Sequence, residues 1–204
     1  MGTLRIDCHQ VIKASSKRER ERRMAAEAPK ELLSKLSGLE DGVLGRYWKK
    51  RDSSCIDHLV LYPRALEIAG GDDPTIWRWF WSAIPLPFDV EFAELKVGTY
   101  QLGVKGMLRM DQFTPGRNYN ITFWLRMKDP AGFQPVVTVT LELPHSQPIV
   151  NHVPLIPGPG GWVKLNAGGF PAGGDGEIKF SLTNDDGIDW KKGLTVAAVF
   201  ASIA

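Results

Sequence analysis

Apolar and polar positions alternate in short runs over most of the chain. Tyr119, Ile121, Phe123 and Leu125 recur at a spacing of two. An extended segment there has one buried face, with Trp124 on the opposite face or against a second packed layer. Trp77, Trp79 and Trp81 share the same spacing; they share one face if the segment is extended and would share no face of a helix. Similar runs predict strands at Ile56–Tyr62, Ala65–Ala69, Val90–Leu95, Tyr100–Met107, Tyr119–Met127, Val136–Leu143, Gly161–Leu165, Glu177–Leu182 and Leu194–Ala201. Turn compositions separate them, at Thr114-Pro115-Gly116, Asp129–Gly132, Pro157–Gly161, Gly173–Gly176 and Asn184–Gly187. Many short strands without strand–helix alternation predict an all-β, antiparallel sandwich or barrel. Residues 144–161 hold five prolines and no clear period, which reads as a long loop over one edge.

The first 42 residues differ in texture. Residues 1–28 are polar, and Lys17–Arg23 is a mixed-sign run of the kind that forms a solvated helix or a disordered arm. Glu19 and Glu21 interrupt it as a nuclear-import signal. Pro29 suits a first helical turn, and Leu32, Leu33, Leu36 and Leu39 follow at helical spacing as far as Gly42. A helix of about ten residues is not stable alone; it docks on the domain, pairs with a second copy or stays partly unfolded. The expected organisation is a basic leader with a short amphipathic helix over 1–42 and one β domain over 43–204.

Composition narrows the function classes. The 204 residues are 43% apolar, enough for one core, with seven tryptophans and a net charge of +2. Residues 1–50 carry 12 Lys/Arg against 7 Asp/Glu, and residues 51–204 carry 13 against 16. The folded part is therefore mildly acidic, which argues against nucleic-acid binding by it. Two cysteines, Cys8 and Cys55, fit a reducing compartment. No Cys/His spacing suggests zinc. No apolar run reaches a membrane-spanning length, and no signal-peptide pattern opens the chain. Ile6 stands where N-myristoylation needs Ser or Thr. Asn120-Ile121-Thr122 is a glycosylation sequon inside a strand pattern and is expected to be silent.

The segment Ala65-Leu66-Glu67-Ile68 through Gly71-Asp72-Asp73-Pro74 to Trp77-Arg78-Trp79 resembles the opening motif of the phloem protein 2 family, plant lectins related to the tobacco lectin Nictaba. Ala93-Glu94-Leu95, Thr114-Pro115-Gly116-Arg117-Asn118-Tyr119, Gly161-Trp162, Gly169-Phe170, Gly176-Glu177-Ile178-Lys179-Phe180 and Trp190-Lys191-Lys192-Gly193-Leu194 resemble later motifs of that family in order and spacing. The resemblance covers residues 43–204. It implies a β-sandwich, jelly-roll-like, that binds N-acetylglucosamine oligomers and N-glycan cores without metal or cofactor, in the plant cytoplasm and also the nucleus. Phloem, defence or stress roles go with it, and a homodimer is expected because family members often dimerise. Site residues carried over by the resemblance are Trp77 and Glu177. The family's first motif tryptophan falls on Gly70 and its second acidic residue on Asn184. Tyr100-Gln101 replaces the family's Cys-Trp, and its final motif is worn down over Ala198–Ala204.

Recognising a neutral sugar takes an aromatic face for the C–H side of the ring and planar polar groups for hydroxyls and acetamido. Trp77, Glu177, Asn184 and Trp79 are the candidates. Each has a plain structural alternative: core tryptophans, an exposed strand glutamate, and a turn asparagine. Catalysis finds little support. His9, His58, His145 and His152 lack a nucleophile partner, and there is no Gly-x-Ser-x-Gly elbow or phosphate loop. An Asp72–Glu177 pair is the one carboxylate couple to weigh for glycoside hydrolysis, and no spacing supports it. Two readings follow. One is a lectin for chitooligosaccharides or the N-glycans of glycoproteins. The other is an interaction protein on the same scaffold, with a protein or RNA partner and no sugar.

Overall fold

The computed structural model describes residues 46–52, 55–81, 91–97, 102–128, 136–184 and 193–204. Twelve strands lie within them. In chain order these are β1 (Arg46–Asp52), β2 (Cys55–Leu61), β3 (Glu67–Ile68) and β4 (Trp77–Trp81). Next come β5 (Glu91–Leu95), β6 (Gly103–Arg109), β7 (Asn118–Met127) and β8 (Val136–Glu142). The last four are β9 (Ile149–Pro154), β10 (Trp162–Pro171), β11 (Glu177–Thr183) and β12 (Leu194–Ile203). They form a seven-stranded and a five-stranded sheet, here sheets A and B, and the strand pairings are antiparallel.

Sheet A is organised around β12. One edge of this strand pairs with β7 along its length, and β7 pairs in turn with β10. The other edge is shared: β5 takes Thr195 and Val196, and β2 takes Val199–Ser202. Strand β4 lies outside β5 and β1 outside β2, so both are edges. Sheet B runs β3-β6-β11-β8-β9.

The facing surfaces of the two sheets enclose the core. Ile121, Phe123 and Leu125 of β7, as the alternation predicted, meet Val139, Ile178, Phe180 and Leu182 from sheet B. Phe123 and Phe180 touch edge-to-face across the gap, with centroids 5.8 Å apart. A buried side chain of this size contributes about 1.5–3 kcal/mol. The centre of sheet A is buried on its other face too: Trp124 lies there, edge-on to Trp162 at 6.3 Å. The all-β sandwich expected from the pattern is thus present.

Several details depart from the sequence reading. Residues 144–161 are not all loop, because β9 forms inside them and pairs with β8. As the edge strand of sheet B it bonds on one side only, so Pro154 costs it little. The run at Ala65–Ala69 gives only the two-residue β3, because Pro63–Ala65 makes a single 3₁₀ turn. Strand β10 continues past Leu165 to Pro171, and β1 had no prediction. The leader and its helix, the turns at Asp129–Gly132 and Asp185–Gly187, and Trp190 lie outside the described residues.

Candidate functional site

Between β3 in sheet B and β4 in sheet A the chain crosses the open side of the sandwich through residues 69–76. Local hydrogen bonds shape this loop. The Asp73 carboxylate accepts from the Thr75 amide at 2.7 Å and from its hydroxyl at 2.6 Å. Those bonds favour the ionised form and hold the Asp73 carboxyl below its ordinary value. The Asp73 carbonyl accepts from the amides of Ile76 and Trp77, and the Gly71 amide donates to Ile68.

The indoles of β4 then grip the loop. Trp77 Nε1 donates to the Ala69 carbonyl and Trp79 Nε1 to the Gly71 carbonyl, each at 2.9 Å. The Ala69 amide donates to Gly103 at 2.8 Å, tying the loop to β6. One residue earlier, the Leu102 amide donates to Asn184 Oδ1 at 2.9 Å. A continuous chain of polar contacts therefore links Trp77, the crossover loop, the start of β6 and the end of β11.

This places the four residues read from the sequence. Trp77 is 2% exposed and belongs to the core. Asn184 is buried and holds the Leu102 amide. Trp79 is half-buried, packed against the core. Glu177 is exposed on the outer face of sheet B, 3.2 Å from Lys179. It opens β11 while Asn184 follows its last residue, so about 23 Å of strand separates them. The first three share one end of the molecule and Glu177 lies at the other. Gly70 has a φ of 66°, one that side chains resist.

A different constellation forms beside Trp79. The guanidinium carbon of Arg64 stands 3.7 Å over the Trp79 ring. Arg64 Nε also donates to Glu91 Oε2 at 2.6 Å. Glu91 is paired directly across from Trp81, which places their β-carbons about 5 Å apart. Trp81 is 53% exposed. An open indole, a carboxylate and a half-exposed guanidinium thus meet at the outer edge of sheet A. The sequence reading gave Trp81 a lesser role and did not select Arg64 or Glu91. The spacing-two signal marked Trp81, but only strand register brings Glu91 beside it. Among the described residues, no three His, Cys, Asp or Glu side chains gather as a metal site.

A family model described as Phloem protein 2 matches residues 57–201. The chain is 32% identical over 161 residues to "Protein PHLOEM PROTEIN 2-LIKE A1" of Arabidopsis thaliana, covering 76% of this chain and 64% of that protein. It is 30% identical over 163 residues to a protein named "Lectin" from Luffa acutangula, covering 74% of this chain and 72% of the other. It thus spans less than two thirds of the Arabidopsis relative. Among solved structures, the CBM22-1 xylan-binding domain of a Paenibacillus barcinonensis xylanase matches at a TM-score of 0.39 and 13% identity, over 70% of this chain and 88% of that one. A likeness at that level carries no weight.

Proposed function

The chain belongs to the phloem protein 2 family, and from that premise we propose that it is a lectin, a non-catalytic carbohydrate-binding protein. Its ligands in this reading are N-acetylglucosamine oligomers or N-glycan cores, held without metal. The observation that carries the reading is the group formed by Trp79, Arg64, Glu91 and Trp81. The exposed indole of Trp81 offers a flat apolar surface to the C–H face of a pyranose. Glu91 accepts from hydroxyls with its free lone pairs. Arg64 keeps N–H donors for an acetamido carbonyl while its plane is fixed by Trp79 and Glu91. The Luffa relative named as a lectin supports the same class.

A glycan array probed with the full chain tests this. N-acetylglucosamine oligomers and N-glycan cores are expected to retain the protein above other glycans, and a Trp81→Ala variant is expected to lose retention. An array on which no glycan retains the chain would sink the lectin reading.

The second reading, an interaction protein with a protein or RNA partner, draws on specific positions. Trp77 and Asn184 are buried in scaffold roles, and Gly70 stands where the family motif has tryptophan. Under it the array stays blank and the chain still associates with a macromolecule. A location in the cytoplasm and nucleus, and assembly as a homodimer, complete the proposal. Imaging of a fluorescent fusion checks the first, and sedimentation of the full chain checks the second.

A further inference from the structure

We propose that the outer face of sheet B carries a second subsite, for one residue of a neutral saccharide, distinct from the edge formed by Trp81 and Glu91. The choice of a saccharide rests on the lectin reading above; the place and the neutrality of the ligand rest on the following geometry.

Strand register sets the side chains in two rows across this face. Glu67 of β3 lies opposite Lys105 of β6, which lies opposite Ser181 of β11. In the next row Met107 of β6, Lys179 of β11 and Glu142 of β8 lie side by side. These six residues line a cavity of about 490 Å³, within the range of small-molecule sites. Two pairs of opposite charge therefore face each other directly, an arrangement that ordinarily closes into cross-strand ion pairs. Among the described residues neither does. Lys179 turns to Glu177 on its own strand at 3.2 Å, and Glu67, Lys105 and Glu142 make no ion pair. The cavity keeps them apart with their hydrogen-bonding capacity free.

The lining also says what fits. Two ammonium groups supply donors, two carboxylates supply acceptors, and the Ser181 hydroxyl supplies both. The charges balance, so the cavity gives no net attraction to an anion. A neutral polyhydroxy ring can both donate and accept, and Met107, 41% exposed, offers it a soft apolar contact. Gly106 forms part of the floor through its backbone; its Cβ would point into the core, where the Phe180 ring stands 2.3 Å away.

Methionine methyl groups read this cavity directly. The full chain, labelled at its five methionine methyls, is titrated with chitotriose, and the Met107 signal is assigned with Met107→Leu. The Met107 methyl is expected to shift saturably by about 10 mM sugar. The shift is expected to persist in Trp81→Ala and to weaken at least about tenfold in Glu67→Gln/Glu142→Gln, substitutions on exposed strand positions that spare the fold. Trigalacturonate is expected to bind less well. A Met107 signal that stays still, that depends on Trp81, or that responds better to trigalacturonate overturns the proposal. Tryptophan emission, read in the same samples, separates the two sites. Emission that moves while Met107 does not removes the second subsite and leaves the lectin reading; a Met107 shift with flat emission removes the Trp81 edge and leaves the cavity.

Discussion

At the scale of single residues, three tryptophans of one strand divide their work by depth. Trp77 and Trp79 hold carbonyls of the crossover loop with their Nε1 groups, while Trp81 stands open. Trp77→Phe leaves the Ala69 carbonyl without that donor and loses packing, so a cost of about 1–3 kcal/mol is expected in denaturant unfolding. Asn184→Ala strips the buried Leu102 amide of its acceptor and is expected to cost a similar amount, about 1–3 kcal/mol, with sugar affinity unchanged. Trp81→Ala reverses the pattern: stability within about 0.5 kcal/mol of the parent, and sugar binding at the Trp81 edge lost. Asp73 sets a pH dependence. Its folded carboxyl titrates below the unfolded one, chiefly through the Thr75 hydroxyl. The stability it contributes is therefore present above the unfolded value, about 3.9, and lost as pH falls through the folded one. Protection factors of the amides over 73–77 are expected to fall below about pH 4. In Thr75→Val the Asp73 titration, followed by NMR, should move up towards the ordinary carboxylate value; no movement would contradict the assigned cause.

At the scale of elements, β4 shows how far a pattern reaches. Spacing two puts its three indoles on one face if the segment is extended; the segment is a strand and they lie on one face. The pattern carries no information on depth. Trp77 lies where the sheets close and Trp81 where they part, which depends on partners distant in sequence. Arg64 and Glu91 are 27 residues apart, and neither has a local signal; the packing of the Pro63–Ala65 turn beside β5 joins them, and the pairing of β4 with β5 adds Trp81. Strand β9 was hidden for another reason: Pro148 before it and Pro154 at its end suppress the usual strand signature, and an edge needs hydrogen bonds on one side only. Glycines mark two places where backbone geometry overrides side-chain chemistry. Gly70→Ala forces a left-handed residue against Ile76, 3.3 Å from the new Cβ, and is expected to cost about 1–2 kcal/mol in unfolding free energy. Gly106→Ala meets the Phe180 ring under the cavity and is expected to cost about 1–3 kcal/mol and disturb the Met107 methyl signal.

At the scale of the whole molecule, a two-sheet sandwich buries its core between the sheets and leaves both an edge and an outer face for recognition. The centre of sheet A is buried on both faces, and Trp81 opens at its β4 edge beside Glu91. Sheet B keeps a polar outer face with Glu177 upon it. The fold class was legible because alternation is a property of each strand by itself. The candidate site was legible only in its chemistry, an indole beside a carboxylate, because its members come from the Pro63–Ala65 turn, an edge strand and its neighbour, and their meeting is set by tertiary packing and register. The same separation explains why Trp77 and Asn184 serve the scaffold, with the open aromatic surface four residues beyond Trp77 on β4.

The most direct test is a titration of intrinsic tryptophan emission with chitotriose, run in parallel on the full chain and on Trp81→Ala. The exposed indole should give a saturable change by about millimolar sugar, where binding is worth about 4 kcal/mol, and the variant should give none. An equal response in both proteins, or a flat one in the parent, would contradict a sugar site at the Trp81 edge.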